Sequence, residues 1–568
     1  MGDWDVDGIN GTRVEGVQQL LGVFLAAACQ KAVELQQELD SDPMRFEQIE
    51  QQVKELFDQG AGLFLTGLIA KSMKTIQHER RSQDARRNYV VPLRAGQDRR
   101  IQVHLGSGYA CHATTRYCGA QDPDEKSPVP GLDIELSLFG FMGDKSPWLV
   151  SKVCRTFALC GSLDQAWSEL QRDGIKLDRN VIDRIVTQAG YELLTVRERL
   201  LQEFEEGKML PNSDFEGKKV SVQVDGGRTR TRSKMEPVET VGSLGKTQSE
   251  VSGKPSQGRS KEKRRKGTFE ATWREPKVFT IYVHDEFGRK IQASRTVIDG
   301  SFADADYAER LIAMQLFRFG AQKAQSITFN SDGATWIWDR IGSIVKRAKI
   351  PITIPIHQVL DVYHAAENLS KGIKALGEQP QPEPSVSIDT LNVATTKALP
   401  DEKLPDEKVN ANPFSFSTLR TMLRDGKWRE VAQYLSDGIK AATNNKGLNE
   451  AEVLRVVNYL RKHGEAGHLD YVKFSLLGLP LGSGSIESAI RRVVNLRMKG
   501  NGTFWRLPKA ECVIVIRSSI LSNKWDEDRL LAKRAMQRDR RLAMPPITES
   551  PRSKSDARLP SLETQQNA

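Results

Sequence analysis

The stretch Val220-Ser221-Val222-Gln223-Val224-Asp225-Gly226-Gly227 alternates apolar and polar side chains as a strand does, and it stops at an acid followed by a turn pair. Downstream, a long polar and basic stretch with Arg228, Arg230, Arg232, Arg264, Arg265 and Lys266 separates it from a second strand, 278–284. Asp285-Glu286-Phe287-Gly288 turns the chain into a third strand, predicted over 289–298. A helix over 305–319 follows, then a strand over 326–330 that runs into Ser331-Asp332-Gly333. A helix over 336–347 and a strand over 352–359, ending at Asp361, complete the pattern.

Three strands, then helix, strand, helix, strand, helix is the order of an RNase H-like fold in the α/β class, with an antiparallel hairpin edge followed by βα units. The catalytic domain is therefore predicted over 216–376. It resumes over 481–540, where Gly482-Ser483-Gly484-Ser485-Ile486-Glu487 opens a helix that buries Ile486, Ala489, Ile490, Val493 and Val494. Between these parts, 377–413 is a Pro- and Glu-rich linker in which Leu-Pro-Asp-Glu-Lys occurs twice, from Leu399 and from Leu404. Such composition cannot bury a core and is expected to be disordered, as is the polar tail 541–568. Residues 414–480 read as a helical insertion.

Upstream, 1–88 is a helical region with regular apolar spacing over 17–39 and 46–57, and 89–148 carries short strands. Residues 149–215 resemble a helix-turn-helix DNA-binding region. Ser162-Leu163-Asp164-Gln165 makes a capping box, Asp173-Gly174 breaks the chain, Asp178 can cap the next helix, and Gly190 is expected to stop it. Val181, Ile182, Ile185, Val186 and Ala189 would face inward. Arg179, Asn180, Arg184, Thr187 and Gln188 would face outward, where such side chains reach phosphates and base edges. Two packed helices also serve as plain scaffold.

The length, 568 residues, exceeds what one hydrophobic core supports, and 39% hydrophobic with 27% charged residues is a globular composition. The longest apolar runs, 20–29 and 61–70, are about half a bilayer-spanning length, so no membrane partner is expected. Met1-Gly2-Asp3-Trp4-Asp5 lacks the basic and apolar opening of a secretory signal, which predicts a cytoplasmic location. Six scattered cysteines form no disulfide framework. Cys111, His112 and Cys118 lack a fourth ligand at zinc-site spacing and read as ordinary side chains. A formal net charge of +10 and a pI near 9.1 favour a polyanionic partner.

Attack on a phosphodiester needs an activated oxygen nucleophile and a neutralised leaving oxygen, and two Mg²⁺ or Mn²⁺ ions on carboxylates supply both. Asp225, Asp332 and Glu487 are the candidate metal-binding and catalytic acids, because strand ends of such a sheet converge on one crevice. Each has a plain alternative: Asp225 in an Asp-Gly turn, Asp332 capping a helix, Glu487 in a helix first turn near Arg491. Asp361 rivals Asp332 as second acid. Asp332 is preferred because its strand would lie beside the first, and Asp361→Asn is expected to be milder because Asn caps a helix as well as Asp. His364 follows as a supporting residue. Arg491, Arg492, Arg497, Lys499 and Trp505 would border the site and suit phosphate contact and a stacked base, as Arg264, Arg265 and Lys266 suit non-specific phosphate contact.

Ser331-Asp332-Gly333-Ala334-Thr335-Trp336-Ile337-Trp338, Leu360-Asp361-Val362-Tyr363-His364-Ala365 and Gly482-Ser483-Gly484-Ser485-Ile486-Glu487-Ser488-Ala489 resemble the motif blocks of bacterial insertion-sequence DDE transposases of the ISKra group, allied to Mutator-like elements. The resemblance covers about 220–526. It implies that Asp225, Asp332 and Glu487 match the metal-binding triad and that Asp361-Val362-Tyr363-His364 matches the signature after the second acid. It further implies terminal-inverted-repeat and target DNA as substrates, divalent metal, and action at the nucleoid. A homodimer or higher oligomer is expected, because two element ends must be brought together. A nuclease of the same fold that cuts without joining, or a non-catalytic DNA-binding repressor, would share parts of this pattern.

Overall fold

The computed structural model describes residues 17–89, 93–94, 96–120, 131–234, 269–377, 415–441, 447–500 and 502–538. Arg264, Arg265, Lys266, the tail 541–568 and nearly all of the linker 377–413 lie outside them.

The chain begins with a helical hairpin, α1 (Val17–Ser41) and α2 (Phe46–Met73), followed by α3 (Ile76–Arg87). The apolar run 61–70 is the far end of α2. Phe24 packs edge-on against Phe57, with ring centroids 6.2 Å apart. Short strands β1 (Leu93–Arg94), β2 (Asp98–His104), β3 (Ala110–Ala120) and β4 (Leu132–Asp133) form an antiparallel sheet, and α4 (Ile134–Leu138) follows. Cys111 and Cys118 are buried on β3, which pushes both thiols up.

Helices α5 (Pro147–Leu159), α6 (Leu163–Arg172) and α7 (Arg179–Glu205) come next. Ser162 caps α6 as its sequence requires, accepting from the Gln165 N–H at 3.0 Å. The expected stop at Gly190 is wrong. Gly190 lies inside a helix of 27 residues, where a Cβ would come within 2.4 Å of the Cys512 Cβ. The missing side chain serves close helix approach, not termination.

A five-stranded sheet follows, built from β5 (Lys219–Gly226), β8 (Lys277–His284), β9 (Thr296–Ser301), β10 (Ser326–Ser331) and β11 (Ile356–Leu360). Its order is β9-β8-β5-β10-β11; β8 runs antiparallel to β5 and β9, while β5, β10 and β11 are parallel. The third strand is shorter and later than the alternation over 289–298 suggested, because Ile291 and Arg289 close the turn after β8. A separate two-stranded ribbon, β6 (Thr229–Lys234) with β7 (Phe269–Arg274), extends the β5 and β8 arms.

One sheet face carries Val220, Val222, Val224, Phe279 and Ile281 against α8 (Ala305–Arg318), α9 (Thr335–Trp338) and α10 (Ile341–Arg347). β11 leads into α11 (Val362–Ala375), which packs with the helical insertion α12 (Phe416–Arg424), α13 (Trp428–Ala441), α14 (Glu450–Glu465) and α15 (Tyr471–Leu476) around Leu369, Leu435 and Val456. The chain then returns through α16 (Gly484–Ile490), a π-helical turn at Arg491–Asn495, α17 (Leu496–Met498), α18 (Leu507–Leu521) and α19 (Trp525–Met536). These helices share one core with α5 to α7 and with Val278 and Ile298 of the sheet. Arg197 ties the layers together from α7, 3.2 Å from Asp299 and 3.6 Å from Glu511 in the interior. The result is a mixed α/β architecture with helices on both sheet faces. Among the described residues no helix is long and apolar enough to cross a membrane.

Candidate active site at the strand ends

Asp225 is the penultimate residue of β5 and Asp332 follows β10 directly. The two strands are adjacent and parallel with Val224 opposite Ser331, so the two acids leave neighbouring strands at the same level. The Ser331 hydroxyl donates to the Val224 carbonyl at 3.1 Å and locks that register at the site. Asp332 Oδ1 accepts from the Ala334 N–H at 3.0 Å, and Gly333, at φ +93°, bends the chain away from the sheet. Tyr459, from the helical insertion, donates its hydroxyl to the Asp332 carbonyl at 3.2 Å.

Asp361 directly follows β11, one strand further out, and is fully buried. Its Oδ1 accepts from the N–H groups of Tyr363 and His364, capping α11, and its Oδ2 accepts from the Ser483 N–H. Ser483 in turn donates its hydroxyl to Glu487 Oε1 at 3.1 Å. Two further buried amides hold the same turn: Asn330 donates to the Pro480 carbonyl at 2.9 Å and Gln223 to the Gly482 carbonyl at 3.0 Å. Gln223 also accepts from the Ile486 N–H at 3.1 Å. Alternate residues of β5 thus do two jobs, with valines in the core and Gln223 fastening the helix that carries Glu487.

Among the described residues, one group of at least three potential ligands has its donor atoms within 4.8 Å of one another, and it joins Asp361, His364 and Glu487. Asp225 and Asp332 are not members of that group, so among the described residues the expected triad is not brought together as one cluster; His364 and Asp332 both act electrostatically on Asp225. Burial pushes the Asp225 carboxyl up to about 6, the Asp332 charge adds to the rise, and the Gly226 N–H at 2.6 Å and His364 oppose it. A cleft of about 460 Å³ is lined by Tyr282, Lys290 and the turn residues Pro480, Gly482 and Ser485, and none of these carboxylates lines it. No family model, curated protein or solved structure matches the chain.

The remaining expected contacts divide. Arg491 and Lys499 are exposed beyond Glu487, and Arg492 is half-buried there. Arg497 and Trp505 are corrections: both are buried, with the Arg497 guanidinium 4.3 Å from the Phe157 ring centroid and 5.2 Å from that of Trp505. Neither offers a surface to phosphate or base. On α7, Arg179, Asn180 and Arg184 are exposed, although Arg179 pairs with Asp164 and lies 4.1 Å over Trp167. Gln188 is half-buried and donates to Glu192 at 3.3 Å, so it belongs to the packed part of the helix. Gln223, Asn330, Tyr459 and Ser483 were not singled out from sequence. Polar residues within an apolar strand were the available signal for the first two.

The raised Asp225 carboxyl yields a stability prediction. A carboxyl raised from 3.8 to about 6 on folding is ionised at a cost above pH 6. In metal-free buffer, Asp225→Asn is expected to raise stability at pH 7.5 by an amount on the order of 1–2 kcal/mol. The gain should shrink as pH falls through 6 and vanish below about 4, where both states are protonated. Calorimetric melting of both proteins from pH 4 to 8 checks this. A gain independent of pH, or a loss at pH 7.5, would contradict it.

Proposed function

We propose that the chain is a DNA transposase of the DDE type, an RNase H-like enzyme that cuts element ends and joins them to target DNA. The observation that carries this reading is the placement of Asp225 and Asp332 at the same end of adjacent parallel strands, with Glu487 on a helix whose first turn is hydrogen-bonded to Gln223 of β5. It is supported by the strand order, with an antiparallel hairpin on one side of β5 and parallel β10 and β11 on the other.

The residues suit divalent cations. Burial and, after it, the neighbouring Asp332 charge raise the Asp225 carboxyl, both of which a bound cation would offset, and hard carboxylate oxygens are the donors Mg²⁺ or Mn²⁺ prefers. Asp225, Asp332 and Glu487 would hold them, with His364 and Asp361 alongside. When bound, such ions supply an activated nucleophilic oxygen and neutralise the leaving oxygen. The protein's own part is placement. The Ala334 N–H orients Asp332, Ser483 orients Glu487, and Gln223, Asn330 and Asp361 keep the turn in register.

Incubating the purified protein with labelled terminal-repeat DNA and Mg²⁺ tests the proposal. Cut and joined products support transposition, cut products alone support a nuclease of the same fold, and neither in a metal-binding protein overturns both. The first turns of α7 are the surface proposed to read terminal repeats, because its later turns are buried. Arg184→Ala is expected to weaken repeat binding by about 1–3 kcal/mol if it meets a base edge, or to lower the salt slope by about one if it meets a phosphate. Unchanged affinity and slope, measured by fluorescence anisotropy against salt, would move recognition off α7.

A further inference from the structure

The β6–β7 ribbon has one face of unusual composition. In its register Arg230 opposes Trp273, Arg232 opposes Ala271, and Lys234 opposes Phe269. Directly opposed residues of an antiparallel pair share a face, so Arg230, Arg232, Trp273 and Phe269 project to the same side. The other side is turned inward at β6. Thr229 and Thr231 are buried, and the Thr229 hydroxyl donates to the Met498 carbonyl at 3.1 Å. Every residue of β7 is exposed, with Trp273 at 62% and Phe269 at 43%.

The exposed rings are organised around the arginines. The Arg230 guanidinium lies 5.2 Å from the Trp273 ring centroid and 5.5 Å from that of Phe504, and Arg232 lies 5.6 Å from that of Phe269. Phe269 and Phe504 are 5.4 Å apart. The ribbon is also held in place. Arg232 N–H donates to the Trp505 carbonyl at 2.9 Å, and Trp505 N–H donates to the Arg230 carbonyl at 3.1 Å. It is therefore fixed between the strand that carries Asp225 and the segment that follows Glu487. Arg230 is five residues beyond Asp225 in the chain, a reach of at most about 17 Å.

Exposed aromatic faces interleaved with guanidinium groups match a single nucleic-acid strand, whose bases stack on rings and whose phosphates pair with arginine. A duplex keeps its base faces stacked inside and offers only edges and backbone. We propose that this ribbon face binds unpaired nucleotides, with bases stacking on Trp273 and Phe269 and phosphates meeting Arg230 and Arg232. The binding stands alone; its role, holding a strand frayed beside the carboxylates, rests on the function proposed above.

The test uses the full chain in EDTA, so that no cleavage is required. Binding of a labelled oligothymidylate of about fifteen nucleotides, and of a duplex of the same length, is followed by fluorescence anisotropy. Trp273→Ala should weaken single-strand binding roughly ten-fold and duplex binding less than two-fold, while Trp273→Phe keeps most of the affinity. Arg230→Ala with Arg232→Ala should reduce the single-strand salt slope by about 1.4, two phosphates at 0.7 each. Because Trp273 is on an exposed strand, melting of Trp273→Ala should match wild type. Wild-type protein that does not bind the single strand, Trp273→Ala with unchanged single-strand affinity, or an equal loss on duplex would overturn the inference. Intact ribbon binding in a protein that never cleaves DNA would instead overturn the strand-transfer reading and leave this site standing.

Discussion

Asp332→Asn should, on the proposed strand-transfer reading, abolish cleavage and joining, with single-turnover rates at least about a thousand-fold below wild type, since removing a charge that would hold metal costs several kcal/mol of transition-state stabilisation. Binding of terminal-repeat DNA should not change. The substitution is close to shape-neutral here. Asn Oδ1 can still accept from the Ala334 N–H, and Tyr459 contacts the backbone carbonyl, which the change leaves in place. What is lost is the negative charge facing Asp225. That loss also removes one cause of the raised Asp225 carboxyl, so the variant's Asp225 should ionise at lower pH than about 6. The measurement is cleavage of labelled terminal-repeat DNA across Mg²⁺ and Mn²⁺ concentrations, with binding followed separately. Near-normal cleavage by Asp332→Asn, beside a severe loss in an Asp361 variant, would make Asp361 the second acid.

The strands that carry these acids were legible because local pattern and tertiary role coincide there. Val220, Val222 and Val224 alternate because one face of β5 meets a core, and the strand ends where Asp225 and Gly226 appear. The end of β10 at Ser331-Asp332 is equally local. Gly190 misled because a glycine can end a helix or admit another one, and the neighbour that decides, Cys512, lies more than three hundred positions away in the chain. Arg497 and Trp505 misled for the same reason: a basic helix end looks solvated until Phe157 closes over it. The proximity of Asp361, His364 and Glu487 depends on a hydrogen bond from Ser483 across the helical insertion, which no spacing rule encodes. The ribbon's mixed face is not legible locally, because Arg230 and Arg232 meet Phe269 and Trp273 only through the pairing of two strands separated by a long intervening segment.

The residue for which structure changes the expectation most is Asp361. From sequence its replacement by Asn is mild, since either residue caps a helix. In the fold the carboxylate caps α11 with one oxygen and accepts from the Ser483 N–H with the other, and it is fully buried. An amide has one accepting end. Whichever way it is turned, its N–H₂ faces a backbone N–H, and no water can reach in to satisfy either group. Leaving a buried donor unpaired costs about 1–3 kcal/mol, so Asp361→Asn should be less stable to unfolding than wild type by a free energy of that order. The same substitution loosens the Ser483 turn, whose hydroxyl and carbonyl position Glu487 and the start of its helix. A displacement of about 1 Å at a reacting group costs roughly a hundred-fold in rate, so cleavage should fall by about that factor. Positioning and ligation predict different metal dependence. If Asp361 acts through the turn, the maximal rate drops while the half-saturating Mg²⁺ concentration stays as in wild type. Gln223→Leu, which cuts the other fastening of the same turn, should then show the same pattern. A raised half-saturating Mg²⁺ concentration in Asp361→Asn, with Gln223→Leu unaffected, would instead place Asp361 among the ligands beside His364 and Glu487.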